Sequence, residues 1–190
     1  SRDRDKLDRL QKEHGFKHVY DDKVSFLDSG LDAIMIHTPT FTHYDLIKEC
    51  LMKGIHVFVD KPISDQILQT YELIQLANDL DLILMPGFNR RYAPFTKALK
   101  EVEDKTMIVV RKNRTTALQE PRFALYDMMI HVVDTALYLL DDPVVRYDTK
   151  LHLDDQGMVQ TAILNIDTTN TSLLAYMNMQ SGSRLETFEV

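Results

Sequence analysis

The first half of the chain alternates between two hydrophobic patterns, one typical of buried strands and one typical of amphipathic helices. Three compact apolar runs have the length of strands in a parallel sheet: residues 32–37, 55–59 and 82–85. Helical periods lie between them at residues 42–53 and 64–80, with Thr42 and Ser64 as predicted N-caps. A further helical period covers residues 2–14. Strands and helices in this order predict βαβ units in a Rossmann-type parallel sheet.

The pattern changes after Tyr92, where strands and helices no longer alternate. Helices are predicted at residues 94–102 and 128–140, and the second of them is apolar on nearly every side. A strand is predicted at residues 106–110. Four more segments separated by turn residues predict further strands: residues 147–153, 159–166, 173–179 and 185–190. This succession of strands predicts a second, mainly antiparallel sheet.

The fold class predicted from these patterns is α/β with two domains. Residues 1–90 form a partial Rossmann-type parallel sheet, and residues 91–190 form an α+β domain with a mainly antiparallel open sheet. A parallel sheet that begins with an exposed helix lacks the strand before that helix, and the last strand stops at Val190 in the middle of its pattern. We therefore expect the chain to be a fragment, truncated at both ends.

Composition narrows the classes of partner. With 29 acidic and 22 basic residues the net charge is −7, which argues against nucleic acid. No apolar run is long enough to span a bilayer and no signal-peptide pattern opens the sequence, so a cytoplasmic protein without a membrane partner is expected. The single cysteine, Cys50, excludes an internal disulfide, and its apolar helical setting predicts a buried thiol. The basic residues Arg111, Lys112 and Arg114 are interpreted as a solvated strand end.

Polar residues follow each of the three predicted parallel strands, in the segments His37-Thr38-Pro39, Asp60-Lys61-Pro62 and Gly87-Phe88-Asn89. Ligands of open parallel sheets lie at the carboxyl ends of the strands, so these segments are candidate cofactor contacts. The alternative is that they are loop residues that only end the strands. Pro62 restricts Lys61 to extended backbone, which directs its ammonium over the sheet edge. A solvated Lys61 paired with Asp60 is the simpler alternative.

One polar stripe interrupts the apolar helix of the second half. At 100° per residue, Asp127, His131, Asp134 and Tyr138 fall within about 60° of one another. Such a stripe on a buried helix faces a cleft or a polar partner, or else it is a solvated surface. Two carboxylates and a histidine allow acid–base catalysis, with a carboxylate fixing the imidazole tautomer, and they also allow metal ligation.

Together these residues resemble the Gfo/Idh/MocA family, which includes glucose–fructose oxidoreductase and inositol dehydrogenase. The family's Glu-Lys-Pro motif is similar to Asp60-Lys61-Pro62, and its Asp-x3-His-x2-Asp helix is similar to the stripe that begins at Asp127. The segments 38–43 and 87–92 resemble its cofactor loop and its link to the second domain. Asp60 departs from the usual Glu, and Glu120 to Ala124 replace the glycines that normally precede the helix. The glycine-rich turn that cradles the pyrophosphate is absent, together with the first strand.

The resemblance implies an NAD- or NADP-dependent oxidoreductase that transfers hydride between the nicotinamide and a hydroxyl carbon of a sugar, cyclitol or related polyol. It assigns Lys61, Asp127 and His131 to catalysis. His131 takes the hydroxyl proton, Lys61 holds the oxygen and Asp127 orients the histidine. The same three residues and Asp134 bind the substrate, and no metal is assigned. The resemblance further implies a homo-oligomer, a dimer or tetramer, joined through the open sheet of the second domain.

The cofactor contacts that the sequence and the resemblance assign lie at the edge of the first sheet: Ser1, Arg2, His37, Thr38, Pro39, His43, Asp60, Lys61 and Asn89. Ser1 and Arg2 occupy the place where the adenosine ribose is read, and this pair suits a 2′-phosphate, which favours NADP over NAD.

Two further hypotheses remain open at the sequence level. One is a non-catalytic sensor that keeps the fold to bind a sugar or a nucleotide, which the lost glycines before Asp127 support. The other is a metal-dependent hydrolase or lyase built on Asp127, His131 and Asp134, although the remaining histidines are scattered along the chain.

Overall fold

The computed structural model describes residues 3–190, which divide into two compact units. The first unit comprises the chain up to Val59 together with Gln66–Met85. The second comprises Asp60–Asp65 and Pro86–Val190. Ser1 and Arg2, two of the predicted cofactor contacts, lie outside the described residues.

The first unit is built on a three-stranded sheet in the order β1-β2-β3. β1 and β2 pair in parallel, with Ile34 opposite Val57 and Ile36 opposite Val59. The elements are α1 (Arg4–His14), α2 (Lys23–Leu27), β1 (Ala33–Ile36), α3 (His43–Met52), β2 (His56–Asp60), α4 (Ile67–Asp79) and β3 (Leu84–Gly87). The predicted order of strand and helix is thereby confirmed. Cys50 in α3 is buried as predicted, and burial raises the pKa of its thiol.

Four local predictions for the first unit are wrong at the level of single residues. β1 is not fully buried, because it lies at the edge of the three-stranded sheet and Met35 is 63% exposed. Thr42 precedes α3 but does not cap it, since its hydroxyl donates to the carbonyl of Pro39 in a short 3-10 turn. Ser64 is buried, and α4 begins three residues after it, at Ile67. β3 begins two residues later than predicted, at Leu84, and runs two residues further, to Gly87.

The second unit contains a five-stranded sheet in the order β5-β6-β7-β4-β8. Only the pairing of β4 with β7 is parallel among its four described pairings, so the predicted mainly antiparallel sheet is confirmed. The elements are α5 (Pro94–Lys100), β4 (Met107–Asn113), α6 (Pro121–Phe123), α7 (Ile130–Leu139), β5 (Arg146–Leu153), β6 (Val159–Asp167), β7 (Ser172–Asn178) and β8 (Leu185–Glu189).

The core of the second unit lies between α7 and the sheet. Val132, Ala136 and Leu139 of α7 are buried with the inward side chains of β4 and β7, such as Val110 and Met177. A fully buried side chain of the size of Leu139 contributes about 1.5–3 kcal/mol, so this packing fixes α7 on the sheet. Within the described residues, no helix is long and apolar enough to cross a membrane.

Lys112 belongs to this inward face, which corrects its interpretation as part of a solvated strand end. Successive residues of a strand point to opposite faces, and Ile108, Val110 and Lys112 share one face of β4. All three are buried, and the side chain of Lys112 is only 5% exposed. The strand also runs three residues further than predicted, to Asn113, because β7 and β8 pair with it over that length.

Candidate functional site

The ammonium of Lys61 is fixed within the second unit by Asp127. Lys61 Nζ donates to Asp127 Oδ1 at 2.6 Å and to the carbonyl of the same residue at 2.8 Å. The Lys61 side chain is 16% exposed and that of Asp127 is 46% exposed, so water reaches the carboxylate more than the ammonium. The simpler alternative, a solvated lysine, does not describe this residue.

A π-helical turn over Ala124–Met129 sets the direction of Asp127. Hydrogen bonds in a π-turn span one residue more than in an α-helix, so an even 100° per residue does not hold between Asp127 and α7. The prediction that Asp127 orients His131 through a hydrogen bond is wrong. Asp127 accepts from Lys61 instead, and among residues 3–190 the His131 imidazole makes no hydrogen bond to Asp127. Such π-turns occur frequently at functional sites.

Glu120 and Arg122 stabilise the segment that leads into this turn. Glu120 caps α6, with one carboxylate oxygen accepting from the backbone N–H of Arg122 at 3.0 Å and the other from that of Phe123 at 2.6 Å. Arg122 donates to the carboxylate of Asp65 at 2.8 Å and also to its carbonyl. Asp65 follows closely on Lys61, so both partners of the Lys61–Asp127 pair are anchored by these contacts. The segment before Asp127 is therefore shaped by polar capping and contains no glycine.

His131 in α7 is a neutral imidazole over the physiological pH range. Burial lowers its pKa to about 3, and the positive charges of Arg90, Lys61 and Lys112 act in the same direction, opposed by Glu186. A neutral ring keeps a lone pair that accepts a proton. The site therefore combines a proton acceptor with several fixed cations.

Glu186 links two of these cations. Arg90 donates to both of its carboxylate oxygens, from Nη2 at 3.1 Å and from Nε, and Lys112 Nζ lies 3.4 Å away. Burial alone would raise the pKa of Glu186, but the bonds from Arg90 and Lys112 bring it below its usual value. Sequence reasoning missed this group. The alternation of Ile108, Val110 and Lys112 was the signal for the lysine, whereas nothing local in the sequence joins Arg90 to a residue 96 positions away.

Asp134 is held in a separate ion pair. Its carboxylate accepts from Arg91 Nε at 3.0 and 2.9 Å and also from Nη2, and its side chain is 7% exposed. The guanidinium lies over the rings of Phe88 and Tyr138, 5.7 and 5.5 Å from their centroids. The carboxylates of the predicted stripe therefore go to two different cations, and the stripe is not a ligand set. Among residues 3–190 no group of three or more His, Cys, Asp and Glu is placed to hold a metal. The contact of Asp134 with substrate stays a prediction.

The first unit brings part of the predicted cofactor set together. His43 is buried, and its Nε2 lies 2.9 Å from the carbonyl of Thr38. The Thr38 hydroxyl lies 2.6 Å from that of Thr42, and the ring of His37 packs against Phe58 at 5.9 Å. These contacts fix the loop that follows the carboxyl end of β1, where open α/β sheets hold dinucleotides.

Asp60, Lys61 and Asn89, the remaining described cofactor candidates, lie in the second unit. Asp60 ends β2, Lys61 follows it directly, and Asn89 comes two residues after the end of β3. The side chain of Asn89 accepts from Arg90 Nη1 at 3.3 Å. Their contacts with a cofactor stay predictions, as do those of Ser1 and Arg2.

Acidification is expected to destabilise the fold through His131. An unfolded chain protonates this histidine below about pH 6.5, whereas the folded chain does so only near its pKa of about 3. The neutral His131 makes its full contribution to the free energy of unfolding above about pH 6.5. That free energy falls by up to ~1.4 kcal/mol per pH unit as the pH drops towards 3. His131→Gln removes the titrating group, so the wild-type advantage in Tm should shrink between about pH 7 and about pH 4.5. An advantage that stays constant over this range would contradict the neutral imidazole.

Comparison with known proteins finds a matching family model for each half of the chain. Residues 1–88 match the family GFO_IDH_MocA, described as an oxidoreductase family with an NAD-binding Rossmann fold, and residues 94–190 match the YceM-like C-terminal domain. YceM of Salmonella typhimurium is 32% identical over 90% of this chain and 56% of its own length. A myo-inositol 2-dehydrogenase of Thermotoga maritima is 30% identical over 84% of this chain and 53% of its own length.

The fold is shared with solved structures. A dehydrogenase (MviM) from Clostridium difficile superimposes with a TM-score of 0.86 at 33% identity, over 98% of this chain and 62% of that one. The chain thus spans somewhat more than half the length of the proteins that it matches.

Proposed function

Because this chain belongs to the Gfo/Idh/MocA family of oxidoreductases, we propose that the protein carrying it is a nicotinamide-dependent dehydrogenase that acts on a CH–OH group of a sugar, cyclitol or related polyol. The observation that carries the proposal is the Lys61 ammonium, held by Asp127 in the same unit as the neutral His131. The name of the Thermotoga maritima relative supports a polyol as the class of substrate.

The residues of the first unit fit part of a dinucleotide site, because a fixed polar loop follows a parallel strand. His37, Thr38, Pro39 and His43 would hold the cofactor there. A bound nicotinamide supplies the acceptor for the hydride that leaves the carbon.

His131 takes the proton of the reacting hydroxyl at a ring nitrogen, and the carbon is left as a carbonyl once its hydride has departed. A base works best when its pKa is close to the working pH, and a pKa of about 3 lies well below that. The charge that develops on the substrate oxygen counteracts the surrounding cations and raises the pKa of the imidazole. Proton transfer therefore becomes favourable as the oxygen becomes negative.

Lys61 acts as a hydrogen-bond donor in this scheme, and its proton stays in place. An ammonium has three N–H bonds, and two of them go to the carbonyl and the carboxylate of Asp127. The third is left for the substrate oxygen, where a positive charge stabilises the developing negative charge. Asp127 positions the lysine.

A titration of the protein that carries this chain with NAD and with NADP tests the cofactor. The matched family is described as NAD-binding, whereas Ser1 and Arg2 predict tighter binding of NADP. The two dissociation constants decide between them, and a clear preference for NAD overturns the prediction from Ser1 and Arg2. A protein that binds neither cofactor is not a dehydrogenase of this kind.

We also infer a homo-oligomer joined through the sheet of the second unit. β5 is exposed along its whole length, with Tyr147 at 69% and Leu151 at 43% exposure. Apolar side chains on an open sheet favour burial against a second copy. Sedimentation of the protein tests this, and a monomer at micromolar concentration would refute it.

A further inference from the structure

A cavity of about 290 Å³ opens in the second unit where β4 and β8 pair. Its volume lies just below the usual range for small-molecule sites, about 300–1,000 Å³, and accommodates a carboxylate or phosphate with part of a carbon chain. Six residues line it: Lys112, Asn113, Arg114, Arg184, Leu185 and Glu186.

The lining carries an excess of positive charge. Lys112, Arg114 and Arg184 are cations, and Glu186 is the one carboxylate among the lining residues. That carboxylate is already bound, since Arg90 donates to both of its oxygens and Lys112 lies 3.4 Å away. Little of its negative charge remains to balance the two arginines, so the cavity favours an anion.

Two buried polar atoms of the lining have no hydrogen-bond partner among residues 3–190: the Nε–H of Arg114 and the Oδ1 of Asn113. Buried donors and acceptors without partners are costly, and they are rare in folded proteins. One atom is a donor and the other is an acceptor. A ligand with an anionic oxygen and a nearby hydroxyl satisfies both.

The backbone holds Arg114 in position before any ligand arrives. Its N–H donates to the carbonyl of Asn178 at 2.7 Å, and its carbonyl accepts from the N–H of Ser181 at 2.9 Å. These bonds fix the backbone of Arg114, and the burial of its Nε restricts the side chain. The planar guanidinium suits recognition of a carboxylate or phosphate.

We propose that this cavity binds the anionic group of the substrate, so that the substrate is a polyhydroxy acid or a sugar phosphate and not a neutral polyol. The inference rests on the proposed function, since it takes the reacting hydroxyl to be the one beside His131. Lys112 joins the two places, because it lines the cavity and also lies on the face of β4 that packs against α7, the helix that carries His131. The Asn113 oxygen then accepts from a hydroxyl next to the anionic group.

Calorimetric titration with two probes tests the cavity independently of turnover. Inorganic phosphate and acetate are titrated separately, at constant ionic strength, into the protein that carries this chain. At least one of them should bind, and Arg114→Gln should weaken that binding about tenfold or more, the worth of one charge-assisted hydrogen bond. Arg9→Gln is the matched control, because this arginine is exposed on α1 and does not line the cavity, and binding should be unchanged.

The two probes distinguish the sources of the anion. Binding of phosphate in preference to acetate supports a sugar phosphate, and the reverse supports a polyhydroxy acid. If Arg114→Gln does not fold, Arg184→Gln on the exposed part of the lining should give the same loss. The proposal is overturned if neither probe binds, or if both variants bind as the wild type does.

Turnover separates a failure of this inference from a failure of the proposed function. Oxidation of neutral polyols that neither phosphate nor acetate inhibits would refute the anionic substrate and leave the dehydrogenase intact. Anion binding that depends on Arg114, in a protein that oxidises nothing, would refute the dehydrogenase and leave the anion site standing.

Discussion

The variant His131→Asn is expected to lower turnover by about two to four orders of magnitude, the usual contribution of a positioned acid–base group. Asparagine keeps a polar side chain of similar reach but has no lone pair that takes up a proton near neutral pH. The affinity for the cofactor should barely change, because His131 acts on the hydroxyl of the substrate. Single-turnover rates and cofactor titration on the same preparation measure the two effects.

The control for this variant is His14→Asn, which makes the same change at an exposed position at the end of α1. Its turnover should match that of the wild type. If His131 only fills space in the core, His131→Asn lowers Tm and leaves the activity per folded molecule nearly intact. An unchanged hydride-transfer rate in a folded His131→Asn protein would remove the histidine from catalysis.

The variant Lys61→Met should reduce turnover by a similar factor and weaken substrate binding more than His131→Asn does. It removes the donor to the substrate oxygen and one of the cations that stabilise negative charge there. Lys12→Met on the exposed face of α1 is the matched control and should leave KM and kcat unchanged.

A double variant separates the structural part of this loss from the chemical part. Lys61→Met leaves Asp127 without its ammonium, but the carboxylate is 46% exposed, so the cost to stability should stay within about 1 kcal/mol. Adding Asp127→Asn should recover that stability and should not recover turnover. Recovered turnover in the double variant would mean that Lys61 serves only to neutralise Asp127.

The strands and helices were predictable because their hydrophobic periods are long and unambiguous. The apolar residues at 55–59 and 159–166 are spaced as in a strand that buries one or both faces in a sheet, and both segments form strands. Element ends were less predictable, as at Ser64, since a serine before a helical period is often an N-cap and here is buried instead.

The residues of the candidate site could be predicted from the sequence, but their hydrogen-bond and ion-pair partners could not. Lys61, Asp127 and His131 follow from motifs, but the partner of Asp127 depends on a π-turn that no periodicity reveals. The charge of Lys112 suggests an exposed strand end, but the alternation of β4 places this lysine on the inward face of the sheet. Strand pairing brings Glu186 opposite Lys112 at a separation far beyond any local pattern.

The most direct test of the central claim is the formation of reduced nicotinamide by the wild-type protein in the presence of a panel of hydroxyl compounds. The panel contains myo-inositol, a neutral hexose, a polyhydroxy acid and a sugar phosphate, each offered with NAD and with NADP. Reduced cofactor should accumulate with at least one compound, at a rate that His131→Asn and Lys61→Met both lower by about two orders of magnitude or more. A protein that binds the cofactor and the compound tightly yet forms no reduced nicotinamide would be a sensor on this fold, and that result would contradict a catalytic role for Lys61 and His131.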